Sequence, residues 1–227
     1  MIELPDITMI CIDCINHGNA IAAIKKSLKE IRPARTVFIT DRKFNIEEVD
    51  VVIIPKIKSK REYSHFMIKE LYNHFDTSHC LVIQADGYVL RGDKWNPELL
   101  ESDYVGSPWD FDFERQVGNG GFSIRSKKLQ TILGTDEIID VTHPEDQSIA
   151  IVYKFYLEEK YGIKFCPVSL AEEFAYELRE PITHTFGFHG RFWPPFQETI
   201  VIRREASLGD VIQTEPILHY FHNQGYR

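Results

Sequence analysis

Five short segments of this sequence carry side chains able to do chemistry. In Leu81-Val82-Ile83-Gln84-Ala85-Asp86-Gly87 an apolar run delivers a carboxylate to a glycine turn. Such a carboxylate can hold a divalent cation against a diphosphate, because a hard cation prefers oxygen ligands and offsets phosphate charge. Asp-Gly is equally a common turn signal, in which case Asp86 merely builds the turn. Val117-Gly118-Asn119-Gly120-Gly121-Phe122-Ser123 is glycine-rich, which demands either positive φ or close backbone approach. No Gly-Lys-Ser/Thr follows it, and Ser123 stands where a dinucleotide fingerprint needs its third glycine. Its exposed N–H groups would suit a sugar or phosphate oxygen; otherwise it is a hairpin or bulge.

Thr142-His143-Pro144-Glu145-Asp146-Gln147 reads as the start of a helix, with Thr142 and Glu145 forming a capping box and Pro144 in the first turn. Glu145 is then consumed by the cap. Asp146 is left free to face a ligand, held ionised by the helix dipole and ready to accept a proton. The alternative is that both acids only complement the helix end. Thr185-Phe186-Gly187-Phe188-His189-Gly190-Arg191-Phe192-Trp193 sets a histidine between glycines among aromatics, suited to a metal, a phosphate or a sugar face. Cys11 and Cys14 are spaced like a redox or zinc pair, but Cys80 and Cys166 stand alone and the pair ends a strand instead of opening a helix. Buried strand thiols are the better reading.

The elements that must position these residues alternate. Residues 7–12, 36–40, 49–54 and 81–83 read as strands, and 19–31 (ended by Pro33) and 63–75 as amphipathic helices. That alternation predicts an α/β fold with a mostly parallel central sheet flanked by helices, and ligands at the carboxyl ends of the strands. Those ends are residues 11–16, Thr40-Asp41 and Gln84–Gly87. Later come a strand at 122–125 and a helix at 127–133 ended by Gly134. A long helix at 142–161 and another opened by a Ser169–Glu172 capping box follow, then a loop at 183–195. The tail carries strand and helix signals at 199–202 and 212–221.

The chain has 227 residues, 43% apolar and 26% charged, enough for a sizeable core and unlike a disordered chain. Its net charge of −8 argues against a nucleic-acid partner, which calls for a basic face. The longest aliphatic run, Val51-Val52-Ile53-Ile54, falls far short of the roughly 20 residues of a membrane span. The N-terminus shows no basic leader, and four cysteines do not make a disulfide scaffold, so a reduced, cytoplasmic setting is expected.

Together the motifs resemble a group of glycosyltransferase-like proteins of mostly unassigned substrate. The likeness spans roughly residues 5 to 195. It rests on residues 63–71, Gln84-Ala85-Asp86-Gly87-Tyr88-Val89, Asp103-Tyr104-Val105-Gly106-Ser107-Pro108-Trp109 and 117–126, with Pro144-Glu145-Asp146 and Phe186-Gly187-Phe188-His189-Gly190 after them. The resemblance implies a GT-A fold. Residues 1–100 would be a Rossmann-like nucleotide-sugar half and 101–196 an acceptor half, with 197–227 an extension packed on the domain. It implies Mn²⁺ or Mg²⁺ on Asp86 and His189. Gln84 replaces the first acid of the usual Asp-x-Asp, which leaves metal dependence open and frees Gln84 to hydrogen-bond the ribose or sugar. Thr40 and Asp41 would face the nucleoside, Lys60 or Arg61 would offset phosphate charge, and Ala85, Asn119, Gly120 and Gly121 would line the donor. Asp146, beside Glu145, would be the base of an inverting transfer from a nucleotide-sugar donor, a UDP-sugar by preference, to a glycan or other hydroxyl acceptor. A nucleotidyltransferase of similar fold and a non-catalytic carbohydrate-binding module are the competing readings. Oligomeric state leaves no trace in the sequence.

Overall fold

The computed structural model of the chain describes residues 1–109, 117–177, 181 and 183–190. The tail signals at 199–202 and 212–221, and the whole of 197–227, lie outside the described residues. Six strands, β1 (Ile2–Ile12), β2 (Ile31–Thr40), β3 (Asp50–Ile53), β4 (His79–Ile83), β5 (Tyr104–Gly106) and β6 (Ser123–Ser126), form one sheet in the order β3-β2-β1-β4-β6-β5. β3, β2, β1 and β4 are mutually parallel, while β6 runs antiparallel to both β4 and β5. The expected α/β architecture with a mostly parallel sheet holds, with β6 the one reversed strand of the six.

Residues 7–12 of β1 are buried without alternation, as a strand covered on both faces must be. Ile7, Met9 and Cys11 pack against Ala20 and Ile24 of α1 (His17–Glu30). Ile10 and Ile12 pack on the other face against Phe66 and Met67 of α2 (Lys60–Lys69) and Leu71 of the 3₁₀ turn Leu71–His74. Each such fully buried Ile, Phe or Met contributes about 1.5–3 kcal/mol, so alternate β1 side chains tie both helical layers to the sheet.

α2 begins at Lys60, not near Tyr63, because its first turn is solvated and carries no apolar signal. Ser59 Oγ accepts from Glu62 N at 3.1 Å and Glu62 Oε2 from Lys58 N at 2.8 Å, a reciprocal cap. α1 stops at Glu30, and Pro33 lies inside β2 instead of ending the helix. Likewise α3 (Lys127–Thr135), capped by Ser126 Oγ on Leu129 N, runs through Gly134, which lies against the Tyr72 ring.

The long helix expected at 142–161 is broken. It consists of a single turn, α4 (Glu145–Gln147), a π-helical turn Ser148–Val152 closed by Tyr153 N on Ser148 O at 2.9 Å, and α5 (Lys154–Tyr161). α6 (Val168–Phe174) starts after Pro167 with no side-chain cap, so the Ser169–Glu172 box is not formed. It leads into a two-stranded parallel pair, β7 (Ala175–Tyr176) with β8 (Gly187–Phe188), which the sequence did not signal. Among the described residues no helix is long and apolar enough to cross a membrane.

Two features of this topology place the site. Strand order reverses between β1 and β4, and a ligand crevice forms where such a sheet changes direction, outside the carboxyl ends of the strands. Because β6 is reversed, Ser123 pairs with Val82, so the glycine-rich residues before β6 arrive at that same edge. All four cysteines are unpaired and buried, and burial raises the Cys11, Cys14 and Cys166 thiols above their usual range and Cys80 to about 12. A thiol-specific reagent should therefore modify none of the four rapidly in native protein and all four in denaturant; rapid native labelling of Cys11 or Cys14 would revive a redox role.

Candidate active site

The β4 chain turns back at once. Gln84 N donates to Gly87 O at 2.8 Å and Gly87 N to Gln84 O at 3.1 Å, leaving Ala85 and Asp86 as a two-residue turn. The turn does not consume Asp86: its side chain is 63% exposed and accepts no hydrogen bond among the described residues. After the turn, Leu90 N and Arg91 N donate to Phe186 O, and Gly190 N donates to Asp86 O at 2.7 Å. These bonds carry residues 186–190 back onto the sheet edge and set His189 Nε2 at 3.6 Å from Asp86 Oδ1. β7 and β8 pair Tyr176 with Phe188, so the next residues along, Glu177 and His189, emerge side by side.

His189 is held from every side. Nε2 lies 3.1 Å from Gln84 Oε1, and the Gln84 amide is itself fixed by Nε2 donating to Tyr63 Oη at 2.8 Å. Nδ1 lies 3.2 Å from Glu177 Oε1 and 3.0 Å from Asn119 Nδ2. The protonated ring donates to Glu177, and the neutral ring accepts from Asn119, so Nδ1 has a partner in either state. Burial alone would lower its pKa. The hydrogen bond to Glu177 and the charges of Asp86, Glu177 and Asp146 outweigh that, and the pKa is raised.

Close approach, not positive φ, is what the glycine-rich segment needs. Of the described glycines only Gly162 and Gly190 have positive φ. A Cβ on Gly121 would overlap the His189 ring, and one on Gly120 would meet Glu145 Oε1 at 2.5 Å, Arg125 Nη2 at 2.9 Å and Asp146 Cβ at 3.0 Å. These two adjacent glycines therefore bring an imidazole–carboxylate group and a carboxylate pair to the two sides of one seam.

Beyond that seam lies a correction. Glu145 makes no capping box; α4 starts after an extended Pro144 with no side-chain cap. The Glu145 side chain instead turns inward and accepts from Arg125 Nη2 at 3.1 Å, with Arg125 fully buried. Its attraction to a buried guanidinium exceeds anything an N-cap offers. Asp146 faces the seam: Oδ2 accepts from Gly120 N at 3.1 Å and Oδ1 from Gln147 N at 2.8 Å. The helix end was expected to hold it ionised. A single turn has little dipole, and burial, then the charge of Glu145, raises Asp146 to about 6.

The remaining expected residues are scattered along the same edge. Thr40 ends β2, buried, its Oγ1 without a hydrogen-bond partner among the described residues. Asp41 accepts from His17 Nε2 at 2.7 Å, and that bond holds its carboxyl below the usual range. Lys60 and Arg61 project from the exposed first turn of α2 and make no hydrogen bond or ion pair with the Asp86 group. A cavity of about 240 Å³ nearby is lined by Ile54, Lys56, Ile57, Glu62, His65 and Phe66, among others, and by none of the expected site residues. Gln84, expected to face a sugar, spends both ends of its amide on Tyr63 and His189.

Arg125 and Glu177 were not singled out by sequence, and Tyr63 was expected only at the end of a loop, 58–63, near the nucleoside. Arg125 shares the polar alternate positions of its strand with Ser123 and so gave no signal of burial, and Glu177 gave none.

Gly121→Ala should displace the His189 ring and cost about 1–3 kcal/mol. Gly18→Ala in α1, where a Cβ has nothing within 4 Å, should stabilise by about 0.4–1 kcal/mol. Denaturant midpoints of the two variants check the contrast.

A family profile described as "Protein of unknown function (DUF5672)" matches residues 46–189, more than half of the chain, and takes in Gln84, Asp86, the glycine seam, Asp146 and His189. No curated protein matches. A solved mannosyltransferase from Pyrobaculum calidifontis, in complex with GDP-Man and Mn²⁺, is similar with a TM-score of 0.40 and 11% identity. The similarity covers 58% of this chain and 47% of that one, so it spans about half the length of the structure it matches.

Proposed function

The chain belongs to the DUF5672 family, and we propose that it is a glycosyltransferase that moves a sugar from a nucleotide-sugar donor to an acceptor hydroxyl with inversion. The observation that carries this reading is the seam. Asp146, a carboxylate with a pKa of about 6, bonds Gly120 N, while Gly121 abuts His189, which faces Asp86 at 3.6 Å. A general base and a diphosphate-binding group thus lie on either side of two adjacent residues without side chains.

A divalent cation fits the residues present. Asp86 offers an exposed carboxylate at the turn, while His189 Nε2 and the Gln84 amide oxygen bond each other at 3.1 Å and would have to give up that bond to reach an ion. Among the described residues no three His, Cys, Asp or Glu side chains group to cage a metal. The set therefore suits Mn²⁺ or Mg²⁺ that shares its coordination with the donor's phosphates. Asp86, Glu177 and Asp146 outnumber His189 in charge, so a diphosphate entering here calls for an added cation. When bound, the ion supplies positive charge to the leaving diphosphate.

The chain's own residues do the rest. Asp86 and His189 orient the diphosphate end, with Gln84 and Tyr63 fixing the imidazole. Ala85, Asn119, Gly120 and Gly121 line the donor sugar. Asp146 takes the proton of the acceptor hydroxyl as that oxygen attacks the anomeric carbon from the face opposite the leaving group. Thr40 and Asp41 bound the nucleoside, and Lys60 and Arg61 add positive charge at the mouth. Within this reading residues 1–100 form the donor half, 101–196 the acceptor half and 197–227 an extension. A UDP-sugar is the preferred donor, and the cytoplasm, where nucleotide sugars are made, is the setting.

The test is turnover across UDP-, GDP-, dTDP- and CMP-sugars with Mn²⁺, Mg²⁺ or EDTA. One donor should be turned over, and Asp86→Ala should abolish metal-dependent activity. Asp146 works as a base only when ionised, so kcat/KM should fall as pH drops through about 6 and level off above it. Asp146→Asn should lose about 10²–10⁴-fold in kcat. An Asp146→Asn enzyme with unchanged kcat overturns the assignment of the base, and binding of no nucleotide sugar at all overturns the reading in favour of a binding module.

A further inference from the structure

We propose that Arg125, acting through Glu145 and the Gly120 peptide, is the positioning residue of Asp146. The inference rests on the reading of Asp146 as the base, and it adds a buried device that holds that base in place.

Arg125 lies fully buried on β6, the reversed strand, directly beneath the glycine seam. Its Nε donates to Ser123 Oγ at 3.0 Å. Its Nη2 serves two acceptors, Gly120 O at 3.2 Å and Glu145 Oε1 at 3.1 Å. Gly120 O also accepts from Ser123 Oγ at 2.9 Å. One nitrogen thus holds the carbonyl of the residue whose N–H binds Asp146, and the carboxylate of the residue preceding Asp146. Gly120 is gripped at both ends, by Arg125 and Ser123 at its C=O and by Asp146 at its N–H. The Tyr104 ring lies 5.6 Å from the guanidinium, and its hydroxyl donates to Gly118 O, so the start of the seam is anchored to the same group.

Stability does not explain this arrangement. A buried ion pair is often replaceable by apolar residues of similar volume with no loss of stability. Here Arg125 Nη1 is also buried with no hydrogen-bond partner among the described residues, a further cost. What the guanidinium supplies and an apolar side chain cannot is a fixed distance between the seam and the Glu145–Asp146 turn. Lysine has no second donor nitrogen to bond Ser123 Oγ while it serves Gly120 O and Glu145 Oε1.

The double variant Arg125→Met/Glu145→Leu removes the pair and keeps its volume. We expect it to fold. Exchange of the Gly120 amide, read by NMR, should become about tenfold or more faster, while amides within β6 stay protected. On the donor identified above, kcat should fall about 100-fold with KM within about twofold. Arg125→Lys should fold in any case and move both readouts the same way by a smaller factor. A structural pair would change global stability alone. Unchanged Gly120 protection in a folded double variant, or in Arg125→Lys, overturns the proposal. The exchange arm needs no substrate, so it decides the positioning claim even if no nucleotide sugar is turned over, an outcome that would defeat only the transferase reading.

Discussion

Arg125 carries a full positive charge into a place with no water, and Glu145 is the anion that makes this tolerable. Much of the site depends on that pair. Glu145 turns inward to meet the guanidinium from α4, a single turn that a wider π turn follows. Because Arg125 Nη2 also binds Gly120 O, the glycine segment is drawn down onto the pair. Asp146 is left buried beside Glu145, and burial and that neighbouring charge favour its neutral form against the Gly120 N–H, which favours the charged one.

The other side of the site is organised by hydrogen bonds around His189, which pairs with Glu177 and Asp86 when protonated. Tyr63 fixes Gln84, Gln84 fixes His189, and Glu177 and Asn119 share the far ring nitrogen. The imidazole therefore has little freedom to rotate, while Asp86 next to it stays exposed at the tip of a two-residue turn. A well-held nitrogen beside an exposed carboxylate suits a ligand that arrives from solvent. Gly120 and Gly121 lie between the two sides, where a side chain would meet Glu145 or the His189 ring.

Some of this was legible in the sequence. The apolar runs before Gln84 and Thr40 and the helical spacing after Asn19 specified a parallel α/β sheet, and hence which loops face the ligand edge. Asp86 at a glycine turn, a glycine segment built for close approach, and buried thiols at Cys11 and Cys14 were all readable, because each follows from local backbone chemistry. Local rules also misled. The Thr142–Glu145 and Ser169–Glu172 boxes satisfy the capping pattern, yet neither forms, while Ser59 and Glu62 make a reciprocal cap that went unread. A cap contributes about 1 kcal/mol, and a buried charge seeking its counterion outweighs that.

The sequence by itself determined which side chains carry chemistry and, through hydrophobic periodicity, the sheet that presents them, since periodicity records which face of each element is hidden from water. Only the tertiary structure decided what each of those side chains does. Arg125 and Glu145 are twenty residues apart in number, Gln84 and His189 more than a hundred, and nothing local tells either residue of its partner. Hydrogen bonds and ion pairs form through space and are short-ranged. The division of labour between Glu145 and Asp146, and the fixing of His189 by Tyr63, Gln84 and Glu177, therefore exist only once β6 has reversed and β7 and β8 have paired.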